Sequence, residues 1–342
     1  MHISRILGTT LLGLLTLSGC QAGYLLQAAN GQLGVLAARR PIERVIADPH
    51  TAEALRVRLS LFREARDFAS RALGLPDNRS YRSYAPLRRE FVVWNVVAAP
   101  EFSVEPRQWC FPVAGCVAYR GYFHESTAQR FAARLRERGD DVTIGGVSAY
   151  STLGHFADPL LSTMMRYDDA YVAGTIFHEL AHQLLYVRGD SVFNESFAMT
   201  VEYAGLEAWL GAKGLTPALT KWRAGRDREQ RQMTLMIVAR ADLAALYREP
   251  LSIAQRRERK AERLKRLADS LRGDSASGVP GPGPRRALNN ADLAIAATYW
   301  DCVPGLQREL ASLGGDLRRF YQRARELARV SMHLRHEQLC RS

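Results

Sequence analysis

Histidine and cysteine are scarce in this chain, with eight and five among 342 residues. No two cysteines stand in a CxxC spacing, which excludes a cysteine-built zinc site and a dithiol redox pair. Fixed-period repeats are also lacking, so solenoids and propellers are excluded. Acidic residues fall short of basic ones, 35 Asp and Glu against 47 Lys and Arg, for a formal net charge of +12. The basic residues are spread along helical stretches without any nucleic-acid-binding module, so no nucleic acid is expected as a partner. Attraction to anionic lipid headgroups accounts for the charge at least as well. What is present, 47% hydrophobic and 24% charged residues, is ordinary for a globular chain with one large or two modest domains.

At the N-terminus Arg5 precedes an apolar run from Ile6 to Leu17, followed by the small residues Ser18 and Gly19. This is the pattern of a secretory leader, too short to span a bilayer comfortably. Cys20 stands where cleavage should fall, and the run Leu17, Ser18, Gly19, Cys20 resembles the lipobox of bacterial lipoproteins. The resemblance implies removal of residues 1–19 and a mature chain that begins at an acylated Cys20. With Gln21 rather than Asp next, it implies a periplasmic location on the outer membrane. Several acyl chains anchor stably where one would not. An ordinary leader that happens to contain a cysteine is the plainer alternative.

Four cysteines remain, and an oxidising compartment permits disulfides. Cys110 and Cys116 flank a loop with Pro112 and Gly115, which favours local closure and leaves Cys302 with Cys340. Buried reduced thiols are the alternative.

Residues 20–49 read as an anchor and N-terminal segment, and residues 50–342 as one domain. Leu55, Leu59, Phe62, Ala65, Ala69 and Leu73 recur at helical spacing. Strand-like runs follow over residues 90–97, 117–123 and 142–150, with a helical stretch near 127–138. From Ala170 onward the pattern is almost wholly helical. The expected class is α+β, with a small antiparallel sheet early and a mainly helical C-terminal part. Residues 252–286, dense in Arg, Lys and Glu before a Gly/Ser/Pro stretch, read as an exposed charged helix end and a loop.

The decisive stretch is His178, Glu179, Leu180, Ala181, His182, an HExxH pattern in a segment without Pro or Gly from Thr175 to Val187. Helix positions four apart lie about 40° apart around the axis, so both imidazoles leave one face and can share one ion. Glu179 lies within roughly 100° of both, close enough to reach a water beside that ion without ligating it. Chance yields such a match about once in a hundred chains of this composition. Ile176, Phe177, Leu180, Leu184 and Leu185 supply the apolar sides of a buried helix.

A catalytic zinc wants a third protein ligand and one open position. Gly189 and Asp190 break the first helix, and a second begins near Ser191 with Asn194 and Glu195 in its opening turns. Glu195 is the expected third ligand. Its rivals are Asp190, which reads as a turn or cap residue, Glu202, and the distant His124 and His155. Glu202 shares the face of Glu195 and is a candidate to orient a ligand histidine from behind, and Asn194 is a second candidate for the layer behind the ligands. An ordinary surface carboxylate is the other reading of Glu202.

The chain resembles the gluzincin peptidases, in which HExxH is followed by a glutamate ligand on the next helix. More closely, it resembles a family of zinc aminopeptidases found as proteobacterial lipoproteins. The segments Tyr150 to Met164, Phe177 to Ala198 ending in NESFA, and Asn289 to Leu310 carry that resemblance, together with the lipobox. His155 departs from the pattern, where a bulkier aromatic is expected. The resemblance implies a zincin-like fold and peptide hydrolysis with one zinc ion, Glu179 serving as general base. It also asks for an oxyanion donor, for which Tyr299 is the candidate. The run ending at Tyr150 is expected to form the sheet edge that a peptide substrate would extend. Two alternatives stand beside it: a zinc endopeptidase, and a catalytically idle lipoprotein serving as a binding or assembly module.

Overall fold

The computed structural model describes residues 19–111, 115–275 and 286–340. The leader expected over residues 1–19 lies outside them except for Gly19, as does the Gly/Ser/Pro stretch. Of Cys20 only the backbone is described. A helix α1 (Gly19–Ala37) leads into a short strand β1 (Arg40–Pro41), then α2 (Ile42–Ala47) and α3 (Glu53–Arg71). The strands β2 (Ser83–Ala85), β3 (Val93–Pro100), β4 (Trp109–Phe111), β5 (Gly115–Val117) and β6 (Arg120–Tyr122) come next, followed by α4 (Glu125–Glu137), β7 (Asp140–Val147) and β8 (Leu160–Leu161). After a 3-10 turn, Ser162–Arg166, all is helical: α5 (Asp169–Leu184), α6 (Ser191–Ala212), α7 (Thr216–Leu246), α8 (Ile253–Ser275), α9 (Asn290–Trp300), α10 (Val303–Ser312), α11 (Leu317–Arg329) and α12 (Met332–Leu339). The class is α+β.

The main sheet is antiparallel with order β6-β3-β7, Val93 facing Val147 at one end and Pro100 facing Asp140 at the other. Its central strand is rich in valine, which suits a pleated surface buried between layers. Val96, Ala98 and Val142 pack with Ala128, Ala132 and Leu135 of α4, while α9 lies against β3 and β7. A second sheet, β1-β2-β8, is mixed: β2 and β8 run parallel, with Tyr84 opposite Leu160. The expectation of one antiparallel sheet missed it, because strands of two or three residues carry no readable alternation. β4 and β5 form a ribbon in which Cys110 faces Cys116, and those two are joined. The second disulfide joins Cys302 to Cys340.

The largest core gathers α3, α5, α6 and α11, with Phe62, Phe177, Phe193, Phe197 and Phe320 all wholly buried. Removing any one of these rings costs about 3–5 kcal/mol. Helix α6 is buried on nearly every side, which makes it the axle of the molecule. The segment of residues 20–49 packs into the body: Ile42 and Val45 belong to the main core, and Gln27 of α1 donates to Gly121 O at 3.4 Å. Residues 252–275 also differ from a merely solvated charge run. Leu264, Leu267 and Leu271 of α8 pack on Leu243 and Leu246 of α7, and the buried Lys260 donates to Asp141 at 2.6 Å. The dense charge hid a leucine face at helical spacing. Among the described residues no helix is long and apolar enough to cross a membrane.

Candidate metal centre

Helix α5 starts at Asp168, whose side chain accepts a hydrogen bond from Tyr171 N at 2.9 Å. It ends at Leu184, since Leu185 turns to extended backbone. Gly189, with φ of 83°, then reverses the chain in the left-handed region that glycine adopts without steric cost. Asp190 caps α6 by accepting from Phe193 N at 3.1 Å. Asn194 clamps the turn, since Val187 N donates to its Oδ1 at 2.7 Å and its Nδ2 donates to Val187 O at 2.8 Å. Its amide is thus engaged by the backbone between the helices, in the turn that carries Glu195. The short connector sets Glu195 across from His178 and His182.

Three donor atoms converge there. His178 Nε2 and His182 Nε2 are 3.1 Å apart, and Glu195 Oε2 lies 3.3 Å from the first and 3.4 Å from the second. A tetrahedral ion with bonds of about 2.0–2.1 Å sets its ligand atoms about 3.3–3.4 Å apart, so the triangle has the dimensions of one face of such a site. Burial of the three is nearly complete, at 13%, 8% and 10% side-chain exposure, and a buried carboxylate beside two imidazoles needs a cation or a proton to balance it. Burial alone would raise the pKa of Glu195, but His182 and His178 hold it down to about 2. Burial would lower that of His178, yet its hydrogen bonds to Glu195 and Glu202 win and raise it well above the usual value. The residues fit a divalent ion with two nitrogen ligands and one oxygen ligand.

Behind the triangle, Glu202 Oε2 lies 3.0 Å from His178 Nδ1, which leaves Nε2 of that ring free to face the other donors. Gly174 makes room for this contact. A Cβ there would sit 3.0 Å from Glu202 Oε1 and 3.3 Å from its Cγ. Nδ1 of His182 is buried without a partner among the described residues, so of the two rings only His178 is held at Nδ1 there.

Glu179 lines a cavity of about 300 Å³ together with His178, His182, Glu195 and Tyr299. Burial raises its pKa, with the two histidines opposing. Tyr299 is pushed well above the usual phenol range by burial and then by Glu195, so its hydroxyl is a firm proton donor. Sequence reasoning missed Tyr119, which lines the same cavity with the same behaviour. It missed Tyr81 too, a buried residue with φ of 61° whose hydroxyl has no partner among the described residues and feels the charge of Glu179. No sequence signal marked either among 13 tyrosines. Of the other residues considered for a third ligand, Asp190 binds Arg335 and His336, Glu202 faces His178 Nδ1, and His124 and His155 are exposed at the surface and absent from the cavity wall. Val147, Ala149 and Tyr150, at the end of the run expected to form the substrate edge, do line the cavity, and β7 pairs only with β3 among the described strands.

A helix pair that sets two imidazoles and a carboxylate in one triangle, with a further carboxylate beside it, defines a candidate metal-dependent hydrolase. Over residues 23–339 the chain matches the family described as "Putative aminopeptidase", and it belongs to that family. No curated protein and no solved structure matches it.

Proposed function

We propose that the chain is a zinc-dependent peptidase of zincin type, acting as an aminopeptidase, with His178, His182 and Glu195 as the metal ligands. The observation that carries this reading is the donor triangle of 3.1, 3.3 and 3.4 Å with Glu179 at its side. When bound, a zinc ion supplies Lewis acidity that polarises a carbonyl and lets water be deprotonated near neutral pH. Glu179 takes the proton from the attacking water on its carboxylate, holds it, and returns it to the leaving amine nitrogen. Tyr299, with Tyr119 beside it, donates a phenolic hydrogen bond to the oxyanion that develops at the carbonyl. Glu202 fixes the His178 ring so that Nε2, not Nδ1, faces the other donors.

The family match supports removal of N-terminal residues. One observation favours internal cleavage instead: among the described residues the cavity wall holds no carboxylate besides Glu179 and Glu195, so no separate acid grips a substrate's free amine. Full-length protein in detergent, loaded with zinc, is compared with Glu179→Gln on free-amine and amine-blocked peptides. Cleavage of free-amine peptides alone, lost in the variant, supports the aminopeptidase. Equal cleavage of both sets, again lost in the variant, moves the assignment to an endopeptidase. A folded, metal-loaded protein that cleaves neither belongs to a binding or assembly module.

The location follows the same reading. The run Leu17, Ser18, Gly19, Cys20 supports a lipid on Cys20 and attachment to the periplasmic face of the outer membrane. Cys20→Ser is then recovered in the soluble fraction and the native chain in the membrane. Equal partition of the two contradicts the anchor.

A further inference from the structure

Apart from the donors and Glu179, the cavity is lined by uncharged groups: nine apolar residues and nine that carry a hydroxyl or an amide. Val93, Phe111, Val117, Phe123 and Val147 line it from the sheet and the ribbon. No Lys, Arg or Asp reaches it among the described residues, although 24% of the chain is charged. Helix α1 also contributes to the wall, through Tyr24 and Ala28. That wall is fixed in place: the Tyr24 ring stacks on Phe111 at 5.2 Å and meets Tyr122 edge-on at 5.6 Å, with the Arg120 guanidinium 4.1 Å from its centre. Two turns after Tyr24, Gly31 touches the Phe123 ring so closely that a Cβ would lie 2.1 Å from it. Helix α1 is therefore seated against the sheet by contacts that tolerate little displacement.

We propose that this cavity is a specificity pocket for a large uncharged side chain, aliphatic or aromatic, on the substrate residue beside the scissile bond. Tyr24 and Ala28 are its specificity-determining residues. The inference rests on the peptidase reading above and adds the substrate class. An apolar side chain entering the cavity leaves water for a surface of its own kind. A charged one loses its hydration without a partner. An acidic side chain also meets the charge of Glu179. A lysine finds only Glu179, and pairing with it removes the base from the reaction. The volume, about 300 Å³, is at the small end of ligand sites, room for one large side chain and the backbone around it.

The test is a set of matched peptides carrying Ala, Leu, Phe, Lys or Glu on either side of the scissile bond, given to the full-length, zinc-loaded protein. The kcat/KM for Leu or Phe exceeds that for Lys or Glu by more than about tenfold. Ala28→Trp fills the pocket and shifts preference from Phe toward Ala. Ala28→Glu supplies a counter-charge and raises Lys relative to Leu by about tenfold. Metal content and thermal unfolding of both variants establish that they are folded and loaded. Equal cleavage of apolar and charged peptides, abolished in Glu179→Gln, overturns this inference and leaves the peptidase standing. So does an unchanged preference in metal-loaded Ala28 variants. A zinc-loaded wild type that cleaves no peptide overturns both.

Discussion

Glu202→Gln isolates what the carboxylate behind His178 contributes to metal binding. In the native protein Glu202 Oε2 accepts from His178 Nδ1 at 3.0 Å, and the side chain is 25% exposed, so the contact is partly shielded from water. Glutamine keeps the size and can still accept through Oε1, but it removes the negative charge that makes the imidazole a stronger donor. Alanine removes both. Loss of such a partner lowers metal affinity about 10–100-fold, or about 1.4–2.8 kcal/mol. Because His182 Nδ1 has no partner among the described residues, nothing there takes over the role. Alanine is therefore expected near the upper figure and glutamine near the lower. The assay is competition for zinc against a chelator of known affinity, with thermal unfolding of the metal-free proteins as a check on the fold. Affinities within twofold of wild type for both folded variants would refute the reasoning.

Four further outcomes follow from the same geometry. Asp190→Asn leaves Arg335 and His336 without their counter-charge. It destabilises the protein by about 3–5 kcal/mol in urea unfolding, since the Asp190 and Arg335 side chains are only 2% and 3% exposed. Burial pushes the Asp190 pKa up, but His336 and Arg335 outweigh it and hold it below the ordinary value. A lowered folded pKa gives stability that is present above an unfolded value of about 3.9 and lost as pH falls through the folded one, so native protein loses this contribution in acid and the Asn variant shows no such loss. Replacing Cys302 and Cys340 by serine costs about 4 kcal/mol for a 38-residue separation, against about 2 for Cys110 and Cys116 with a separation of 6, measured by denaturant unfolding. Tyr299→Phe lowers kcat by about 10²–10³-fold with metal content unchanged, and an equal effect only in Tyr119→Phe transfers the donor role to that residue.

The grouping of His178, His182 and Glu195 was legible in the sequence because its logic is local. HExxH is a helix spacing, and the step from His182 to Glu195 is one turn between consecutive helices. Apolar periodicity gave the late helices, and an even cysteine count with one short loop gave two pairs that the structure joins. What could not be read depends on contacts between distant parts of the chain. Asp190 meets Arg335 across a separation of 145 residues, and neither has a neighbour in sequence that announces the other. Helix α1 looked like a mixed segment because its glycines weaken the helical signal. Gly31 is explained only by the Phe123 ring pressed against it. Tyr119 sits in the two-residue link between β5 and β6, where nothing in the local pattern points into a cavity. That the Asn194 amide binds the Val187 backbone could not be read either, since side-chain direction at a helix start depends on the turn before it.

Metal content of the purified full-length protein tests the central claim most directly. After dialysis against buffer with trace zinc, the wild type should hold one ion per chain. His178→Ala, His182→Ala and Glu195→Ala should each hold far less while keeping their helical signal, and Glu179→Gln should keep the ion and lose activity. A folded wild type that binds no divalent ion, or ligand variants that bind as much as the wild type, would contradict the account.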